Sequence, residues 1–227
     1  MKNEKTVCKD VVIRFCGDSG DGMQLTGTLF SSLSAILGNE IATFPDYPAD
    51  MRAPQGTIGG VSSFQVHVGA GIHTPGNECD VLVAMNCAAL KVNYKLVKKG
   101  GVIIFDTDSF DAKNLEKALY KTDNPFTELG ISETIQLVPV PLTTLTEESL
   151  KDSGMDKKAI DRCKNMFALG LICWLFNRPL EKAQHFLANK FAKKPEILKA
   201  NDKVLTDGYN YGNNTALNIN TFEVHRS

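Results

Sequence analysis

The sequence predicts an α/β fold of three layers: a mostly parallel sheet between helices, with one antiparallel edge strand and a helical C-terminal segment. An apolar, β-branched run at 11–15 (VVIRF) leads through a glycine-dense turn into a segment of helical spacing, which is typical of a strand–turn–helix unit. Continuous apolar runs at 79–85 and 102–105 are typical of parallel strands buried on both faces. From Leu142 onward the pattern changes from strand-like to helical.

The first strand and helix predict a β-α-β unit. Apolar residues recur at helical spacing from Leu25 to Ile36, and Gly38 supplies a signal for the end of the helix. Residues 40–44, EIATF, have the composition of a second strand, and two parallel strands joined by a helix require a right-handed crossover. In a nicotinamide enzyme the carboxylate that binds the ribose often follows this strand, and Asp46 is the candidate.

The turn between this strand and helix is dense in glycine. Its spacing is G-x-x-G-x-G, formed by Gly17, Gly20 and Gly22. A helix that begins at such a turn directs free N–H groups and the positive end of its dipole at one point, which favours an anion and above all a phosphate. The dinucleotide fingerprint needs a glycine where Ser19 stands, and a P-loop needs Lys and Ser or Thr in place of the Met-Gln pair at 23–24. Hydrolysis of a nucleoside triphosphate is therefore not expected.

Two carboxylates in the turn, Asp18 and Asp21, leave its role open. A carboxylate at the start of a helix stabilises it as a cap, but it also repels an incoming anion. The turn is therefore either a phosphate-binding turn or a helix N-terminus that is capped for stability.

The loop at 45–60, PDYPADMRAPQGTIGG, is the most irregular part of the sequence. Its prolines and glycines prevent regular structure, while Tyr47, Asp50, Arg52 and Gln55 provide polar groups. A long loop near a phosphate-type turn predicts a binding lip, with a stiff surface connection as the alternative. The Arg52 guanidinium could hold a phosphate or carboxylate in bidentate fashion, or form a surface salt bridge. We call residues 45–60 the lip.

Residues 61–68, VSSFQVHV, alternate between apolar and polar side chains. The alternation predicts a half-exposed strand, antiparallel and at an edge of the sheet. His67 lies on the polar face, and no second ligand stands at a spacing typical of metal sites. We therefore interpret His67 as a residue of the sheet surface.

Asn86 follows the apolar strand 79–85 and precedes a helical pattern. Ligands of open α/β sheets bind at such strand ends, so Asn86 could cap the helix, contact a ligand, or do both. Further along, the sequence predicts a helix at 113–120 and a strand at 135–140.

The C-terminal third predicts packed helices. The first covers 160–174, the second begins at Pro179, and the third runs from Pro195 towards Tyr209. The Asn-rich tail loses periodicity, which is typical of a linker or arm and suggests a piece of a longer chain. We expect one domain over 1–200, followed by a helix end and a linker or arm over 201–227.

Composition excludes several classes of protein. The 25 Lys and Arg balance 26 Asp and Glu, so the sequence predicts neither a nucleic-acid partner nor an acidic membrane partner. The six cysteines form no C-x-x-C pair, which argues against a zinc site, an iron–sulfur cluster and a disulfide framework. No run approaches the ~20 apolar residues that span a bilayer. We expect a soluble, cytoplasmic protein with reduced, buried thiols and no bound metal.

Four stretches in this order resemble the gamma domain of the 2-oxoacid:ferredoxin (acceptor) oxidoreductases. They are FCGDSGDGMQLTG at 15–27, YPADMRAPQGTIGGVSSFQVHVG at 47–69, CDVLVAMN at 79–86 and GGVIIFD at 100–106. The similarity is to the form fused to the front of the alpha subunit in 2-oxoglutarate-type enzymes. It covers residues 11–200.

The resemblance implies a Rossmann-like module of a larger enzyme. Enzymes of this family oxidatively decarboxylate a 2-oxoacid with coenzyme A, giving an acyl-CoA, carbon dioxide and low-potential electrons for ferredoxin. Thiamine diphosphate belongs to the alpha and beta parts, and iron–sulfur clusters belong to other parts again. The gamma domain helps to hold coenzyme A. Carried over to this sequence, the residues on the coenzyme A side are Gly17, Ser19, Gly20, Gly22, Thr26, Arg52, Gln55, Gly59, Gly60 and Asn86.

The role that this implies is positional. The sequence offers no nucleophile–base pair, so we expect no catalytic residue and an isolated chain without activity. A domain that orients coenzyme A lowers the entropic barrier to acyl transfer onto its thiol. Two alternatives remain: a purely structural subunit of the same complex, whose glycine turn is only a tight junction, and a free-standing nicotinamide dehydrogenase.

Overall fold

A computed structural model describes residues 5–215, 217 and 219–225, and a six-stranded sheet forms its middle layer. The strands of this sheet are β2 (Asp10–Asp18), β3 (Glu40–Asp46), β4 (Val61–Gly69), β5 (Cys79–Ala84), β6 (Val97–Asp106) and β7 (Gln136–Val140). Their order is β3-β4-β2-β5-β6-β7. Strand β4 pairs antiparallel with both of its neighbours, whereas the pairs β2-β5, β5-β6 and β6-β7 are parallel.

Helices cover both faces of the sheet. In chain order they are α1 (Met23–Ile36), α2 (Cys87–Asn93), α3 (Ala112–Lys117), α4 (Pro125–Glu128), α5 (Leu142–Leu150), α6 (Lys157–Asp161), α7 (Lys164–Leu175), α8 (Leu180–Lys190) and α9 (Pro195–Asn214). One apolar core joins the sheet to α1, α5, α7, α8 and α9. A second core joins the opposite face to α2 and α3. The predicted α/β class, with three layers and a mostly parallel sheet, is confirmed.

The position predicted for β4 is wrong, although its antiparallel direction is confirmed. The strand lies inside the sheet, between β2 and β3, and β3 forms the edge. Its polar face is also buried: Ser63 is 2% exposed and Gln65 is 3% exposed. The alternation of β4 therefore reflects a buried polar face rather than a solvated one. Because β4 lies between them, β3 is not a direct parallel neighbour of β2 but pairs antiparallel with β4.

A buried arginine explains why these polar side chains are inside the protein. Arg14 donates to the Asp46 carboxylate at 2.6 Å, to the Asn93 side-chain oxygen at 2.7 Å and to the Gln65 side-chain oxygen at 3.2 Å. The Gln65 amide in turn donates to the Pro75 carbonyl at 2.9 Å. A buried guanidinium requires such partners, because an unpaired charge is costly in an apolar environment.

The chain termini form a second sheet that the sequence does not signal. Strand β1 (Lys5–Cys8) pairs parallel with β8 (Thr221–Val224). Helix α9 reaches Asn214, beyond the predicted Tyr209, and Ile219 is buried in the first core. Strand β8 has four residues, too few for a clear period, and its partner strand lies at the other end of the chain, so no local pattern signals the pair. The division of the chain at residue 200 stays a prediction, and α9 passes through that position without a break.

All six cysteines are free thiols, as expected. Cys8 is half-buried, and the other five are buried. Burial raises the pKa of Cys163 to about 11, and it also raises the pKa of Cys16 and Cys173. Within the described ranges, no helix combines the length and apolarity needed to cross a bilayer.

Helices α7 and α9 pack closely through glycine. A Cβ atom on Gly208 would overlap the carbonyl oxygen of Phe167, and one on Gly170 would overlap the carbonyl oxygen of Leu205. Both obstacles are backbone atoms, so no side-chain movement can relieve them. The two helices can approach this closely only because both positions lack a side chain.

We expect Gly208→Ala to lower the free energy of unfolding by about 1–3 kcal/mol, because the added methyl group forces the two backbones apart. Alanine favours a helix over glycine by roughly 1 kcal/mol, so the measured loss understates the packing cost. Urea denaturation measures the change. Lys199→Ala, at an exposed position of the same helix, should stay within about 0.5 kcal/mol of the native protein. Equal stability of the two variants would contradict this packing.

We expect Asp46→Ala to lower the free energy of unfolding by about 2 kcal/mol, because it leaves the Arg14 charge without its carboxylate. The Arg14 side chain is 6% exposed and that of Asp46 is 47% exposed, so the loss should be smaller than the ~3–5 kcal/mol typical of a fully buried pair. The control is Asp207→Ala, which breaks the exposed Lys203–Asp207 pair at 2.8 Å and should cost less than about 0.5 kcal/mol. A similar effect of both substitutions would show that the Arg14 pair does not stabilise the sheet.

Candidate functional site

The carboxyl ends of β2 and β5 form the centre of the candidate site. From β2 the chain passes through α1 to one side of the sheet, and from β5 it passes through α2 to the other side. In open α/β sheets, ligands bind in the crevice where the connections diverge in this way. Asp18 is the last residue of β2, and Asn86, two residues after the end of β5, is the N-cap of α2.

The glycine turn links β2 to α1 as predicted. Gly22 adopts a left-handed conformation with φ 75°, and the first intrahelical bond runs from the Thr26 N–H to the Gly22 carbonyl at 3.0 Å. Earlier N–H groups of α1 have no partner within the helix, and no side chain caps it. The alternative that Asp18 or Asp21 caps this helix is therefore wrong.

The two carboxylates instead bind the backbone of the turn and the lip. The Asp21 carboxylate accepts from the Asp18 N–H at 2.8 Å. The Asp18 carboxylate accepts from the Gly56 N–H at 2.9 Å, and the Ser19 N–H donates to the Gly60 carbonyl at 3.1 Å. These contacts hold the lip directly against the glycine turn.

Burial governs the charge of this site. It raises the pKa of Asp18 from 3.8 to about 6, and the neighbouring Asp21 carboxylate raises it further against the opposing effect of the Gly56 N–H. Burial also raises the pKa of Asp21, although the nearby Lys164 opposes this shift. Lys164 lies 3.2 Å from the Asp106 carboxylate at the end of β6. Burial lowers the pKa of Lys164, but the carboxylates of Asp21 and Asp106 outweigh that effect and raise it.

Most of the predicted site residues meet at this edge, with one exception. Thr26 is fully buried, and its hydroxyl donates to the Gly22 carbonyl at 3.1 Å, so it offers no surface to a ligand. The Asn86 side chain accepts from the Ala89 N–H at 2.8 Å and so caps α2. Other predicted residues lie in the turn or in the lip: Gly17, Ser19, Gly20, Gly22, Gln55, Gly59 and Gly60.

Gly20 faces the lip across a narrow gap. A Cβ atom on Gly20 would lie 3.6 Å from the Gln55 side-chain nitrogen, which is an ordinary contact. Gly17 has no such room, because a Cβ atom there would lie 2.7 Å from the Asp21 carboxylate. The turn therefore has room for a side chain at Gly20, on the side of the lip, but none at Gly17, which lies against Asp21.

Two cations border the lip. Arg52 is exposed, and no ion pair among the described residues includes it, so the surface salt bridge considered for it does not form here. Lys117, at the end of α3, also lacks an ion pair within that part of the chain, and its side chain reaches to 3.6 Å from a Cβ atom placed on Gly56. Sequence reasoning missed Lys117, since only the folding of α3 against the lip brings it here.

Two other candidates are separate from the site. Asp46, the possible ribose ligand, is engaged by Arg14 and lies on the edge strand, which removes the support for a nicotinamide enzyme. His67 contacts the Asp10 carboxylate at 2.7 Å and the Thr74 carbonyl at 2.6 Å, near the amino end of β2. In the residues that the structure describes, no group of three or more His, Cys, Asp or Glu could hold a metal ion.

The raised pKa of Asp18 predicts a pH-dependent stability. Its folded value, about 6, exceeds the ordinary 3.8, so the folded protein holds this proton more tightly than the unfolded chain does. The stability that it contributes is complete below about pH 4 and is lost as pH rises through 6. Between pH 5 and 7.5 the native protein should lose about 1 kcal/mol from this source.

Asp18→Asn should remove that loss, because asparagine keeps an oxygen for the Gly56 N–H but cannot ionise. We expect the variant to gain stability relative to the native protein at pH 7.5 more than at pH 5, as measured by thermal unfolding. The control is Asp152→Asn, which changes an exposed carboxylate and should change the stability equally at pH 5 and at pH 7.5. An Asp18→Asn effect that is equal at both pH values would contradict the raised pKa.

Comparisons with known proteins identify the family of this chain. The profile of the family described as pyruvate ferredoxin/flavodoxin oxidoreductase matches residues 12–211. The 2-oxoglutarate oxidoreductase subunit KorA of Mycobacterium tuberculosis (strain ATCC 25618 / H37Rv) is 48% identical over 217 residues, which are 95% of this chain and 33% of KorA. The chain thus spans about a third of the length of this relative.

Solved structures share the fold. A 2-oxoglutarate:ferredoxin oxidoreductase from Magnetococcus marinus, with 2-oxoglutarate, coenzyme A and succinyl-CoA bound, matches with a TM-score of 0.72 and 26% identity over 96% of this chain and 33% of that chain. The gamma subunit of a keto/oxoacid ferredoxin oxidoreductase from Geobacter sulfurreducens PCA matches with a TM-score of 0.63 and 20% identity, covering 90% of this chain and 99% of its own. The pyruvate oxidoreductase subunit PORC from Thermotoga maritima gives a TM-score of 0.58 and 18% identity, covering 89% and 97%.

The last two matches show similarity of fold alone, whereas the family profile and KorA are also similar to this chain in sequence. Together they confirm the resemblance found in the glycine turn and the lip. The chain belongs to the pyruvate ferredoxin/flavodoxin oxidoreductase family.

Proposed function

We propose that this chain is the coenzyme A-holding part of a 2-oxoglutarate:ferredoxin oxidoreductase. The complete enzyme would convert 2-oxoglutarate and coenzyme A to succinyl-CoA and carbon dioxide, passing two electrons to ferredoxin and releasing one proton. Support comes from the KorA relative, which is a 2-oxoglutarate oxidoreductase subunit, and from the Magnetococcus marinus structure, which contains both coenzyme A and succinyl-CoA.

The observation behind this proposal is the contact of the lip with the glycine turn at the diverging strand ends. Asp18 and Ser19 bind the lip at Gly56 and Gly60, so the lip is held across a narrow gap from Gly20, where a Cβ atom would lie 3.6 Å from the Gln55 side-chain nitrogen. A gap at this place in an α/β sheet is where a ligand is expected.

Charge orients coenzyme A within this gap. The carboxylates of Asp18 and Asp21 beside the turn disfavour a pyrophosphate there, since like charges repel most strongly where water is excluded. The pantetheine arm is uncharged, so these carboxylates do not repel it. The phosphates fit the outer side of the lip, where Arg52 and Lys117 have no ion pair among the described residues.

The role in catalysis is to orient the thiol of coenzyme A. Holding the thiol near the acyl intermediate converts a bimolecular encounter into an intramolecular step, which removes much of the entropic barrier. The cysteines of this chain do not compete as nucleophiles, because burial raises the pKa of Cys87 to about 11 and of Cys163 equally.

Thiamine diphosphate and iron–sulfur clusters would belong to the alpha and beta parts and to other parts of the complex, which pass electrons to ferredoxin. The residues of this chain do not fit a cluster. Its cysteines are dispersed and buried, and the described residues bring no three His, Cys, Asp or Glu together. We place no metal in this domain.

A purely structural subunit is the second candidate. The lip presents large apolar side chains to solvent, with Tyr47 at 65% and Met51 at 76% exposure. Such side chains favour a contact with another part of the complex. In that case the lip would serve assembly without contacting coenzyme A.

We expect Arg52→Ala to raise the coenzyme A concentration for half-maximal activity about 10-fold, because it removes a charge-assisted contact worth roughly 1.4 kcal/mol. The assay follows acceptor reduction with 2-oxoglutarate in the assembled complex. Arg162→Ala changes another exposed arginine and should leave this value unchanged. Gly20→Val would fill the gap facing Gln55 and should weaken coenzyme A in the same way.

The two candidate functions give different results in this assay. If the complex assembles and both Arg52→Ala and Gly20→Val leave the coenzyme A dependence unchanged, the turn is structural and the chain is a scaffold. If Arg52→Ala prevents assembly instead, the lip serves as a subunit contact.

A further inference from the structure

A cavity of about 450 Å³ opens beside the carboxyl end of β6. It belongs to the same edge of the sheet as the glycine turn. Its lining residues are Phe105, Thr107, Phe110, Asp123, Asn124 and Pro125, together with Phe126. None of them takes part in the glycine turn or in the lip.

Three phenylalanine rings give the cavity flat apolar walls. The ring centres of Phe105 and Phe126 lie 4.8 Å apart, and Phe110 and Phe126 are stacked with centres 5.8 Å apart. Phe105 is buried, whereas Phe110 and Phe126 are half-buried and keep part of their rings open. Walls of this kind suit a planar aromatic ligand, which stacks on an exposed ring face.

The rim of the cavity places a donor next to an acceptor. The Asn124 side-chain oxygen accepts from the Thr127 N–H at 3.1 Å, which directs the amide NH₂ group away from the helix. Asp123 contributes an exposed carboxylate. Within the part of the chain that the structure describes, neither the NH₂ group nor this carboxylate has a hydrogen-bond partner. Adenine presents an amine beside a ring nitrogen acceptor and matches such a pair, whereas guanine would direct a carbonyl at the carboxylate.

The cavity also lies at a suitable place relative to the lip. Strand β6 is two strands from β2, a distance of about 10 Å along the edge of the sheet. Helix α3 connects the two regions: it begins at Ala112, two residues after the cavity residue Phe110, and ends at Lys117, whose side chain would lie 3.6 Å from a Cβ atom placed on Gly56 of the lip. An extended ligand can therefore follow the edge from the glycine turn, past Arg52 and Lys117, to the phenylalanine rings.

We propose that this cavity binds the adenine base of coenzyme A, while the lip binds its phosphates and the glycine turn faces its pantetheine arm. This inference rests on the proposed function and assigns a separate part of the ligand to a separate part of the chain. The adenine base stacks on Phe126, its amine donates to Asp123, and a ring nitrogen accepts from Asn124.

Isothermal titration of the assembled complex with coenzyme A and with 4′-phosphopantetheine, which lacks the adenosine, tests the cavity. We expect Phe126→Leu to weaken coenzyme A about 10-fold through the loss of a stacking face, and to leave 4′-phosphopantetheine unchanged. The matched control is Phe186→Leu, the same change at a half-buried position on α8, which should affect neither ligand.

A second variant keeps the test independent of the packing of Phe126. Asp123 is exposed, so Asp123→Ala should fold normally. In competition against coenzyme A, AMP should bind the native complex about 10-fold more tightly than GMP, and Asp123→Ala should abolish this preference. Loss of the preference together with the Phe126→Leu effect supports the adenine site.

The remaining outcomes separate the two proposals. If coenzyme A binds the native complex but Phe126→Leu and Asp123→Ala bind it as the native protein does, the adenine base lies elsewhere and only the cavity proposal fails. If 4′-phosphopantetheine binds as tightly as coenzyme A, the cavity proposal fails in the same way. If Arg52→Ala and Gly20→Val also leave coenzyme A binding unchanged, the proposed function fails with it.

Discussion

The hydrogen bond between the Asp18 carboxylate and the Gly56 N–H is the contact on which the candidate site depends. Asp18 ends the strand before the glycine turn, and Gly56 lies 38 residues later in the lip. A buried carboxylate without such a donor would lower the stability of the folded protein. The contact therefore holds the lip against the glycine turn. The gap beside Gly20 exists because these two segments are tied together at the diverging strand ends.

The same carboxylate limits what can bind there. Burial and the nearby Asp21 already raise the pKa of Asp18, and a phosphate at the turn would add a further negative charge. The cations of this edge lie in two places. Lys164 is paired with Asp106 inside the site, whereas Arg52 and Lys117 lie at the lip. An anionic ligand is therefore best placed across the lip, with an uncharged portion inside. Coenzyme A has this distribution of charge, whereas a dinucleotide with its pyrophosphate at the turn does not.

Much of the fold could be predicted from local patterns. The strand at 79–85, the helix after Gly22 and the capping role of Asn86 depend on nearby residues, and they are found where the sequence places them. The edge position of β4 was predicted wrongly, because a polar face that binds a buried Arg14 has the same alternation as a face in water. The ligand role of Thr26 stays a prediction: its spacing puts it near the turn, but its hydroxyl bonds to the Gly22 carbonyl of its own helix.

The sequence by itself determined the α/β class, the glycine turn, the irregular lip and the family, since each is expressed by residues that are neighbours in the chain. Only the tertiary structure decided what meets at the carboxyl edge. Lys117 at the lip, Lys164 beside Asp106, and the phenylalanine cavity beside β6 all depend on contacts between distant segments. The free energy of such contacts comes from burial and pairing across the sheet, which no local pattern records.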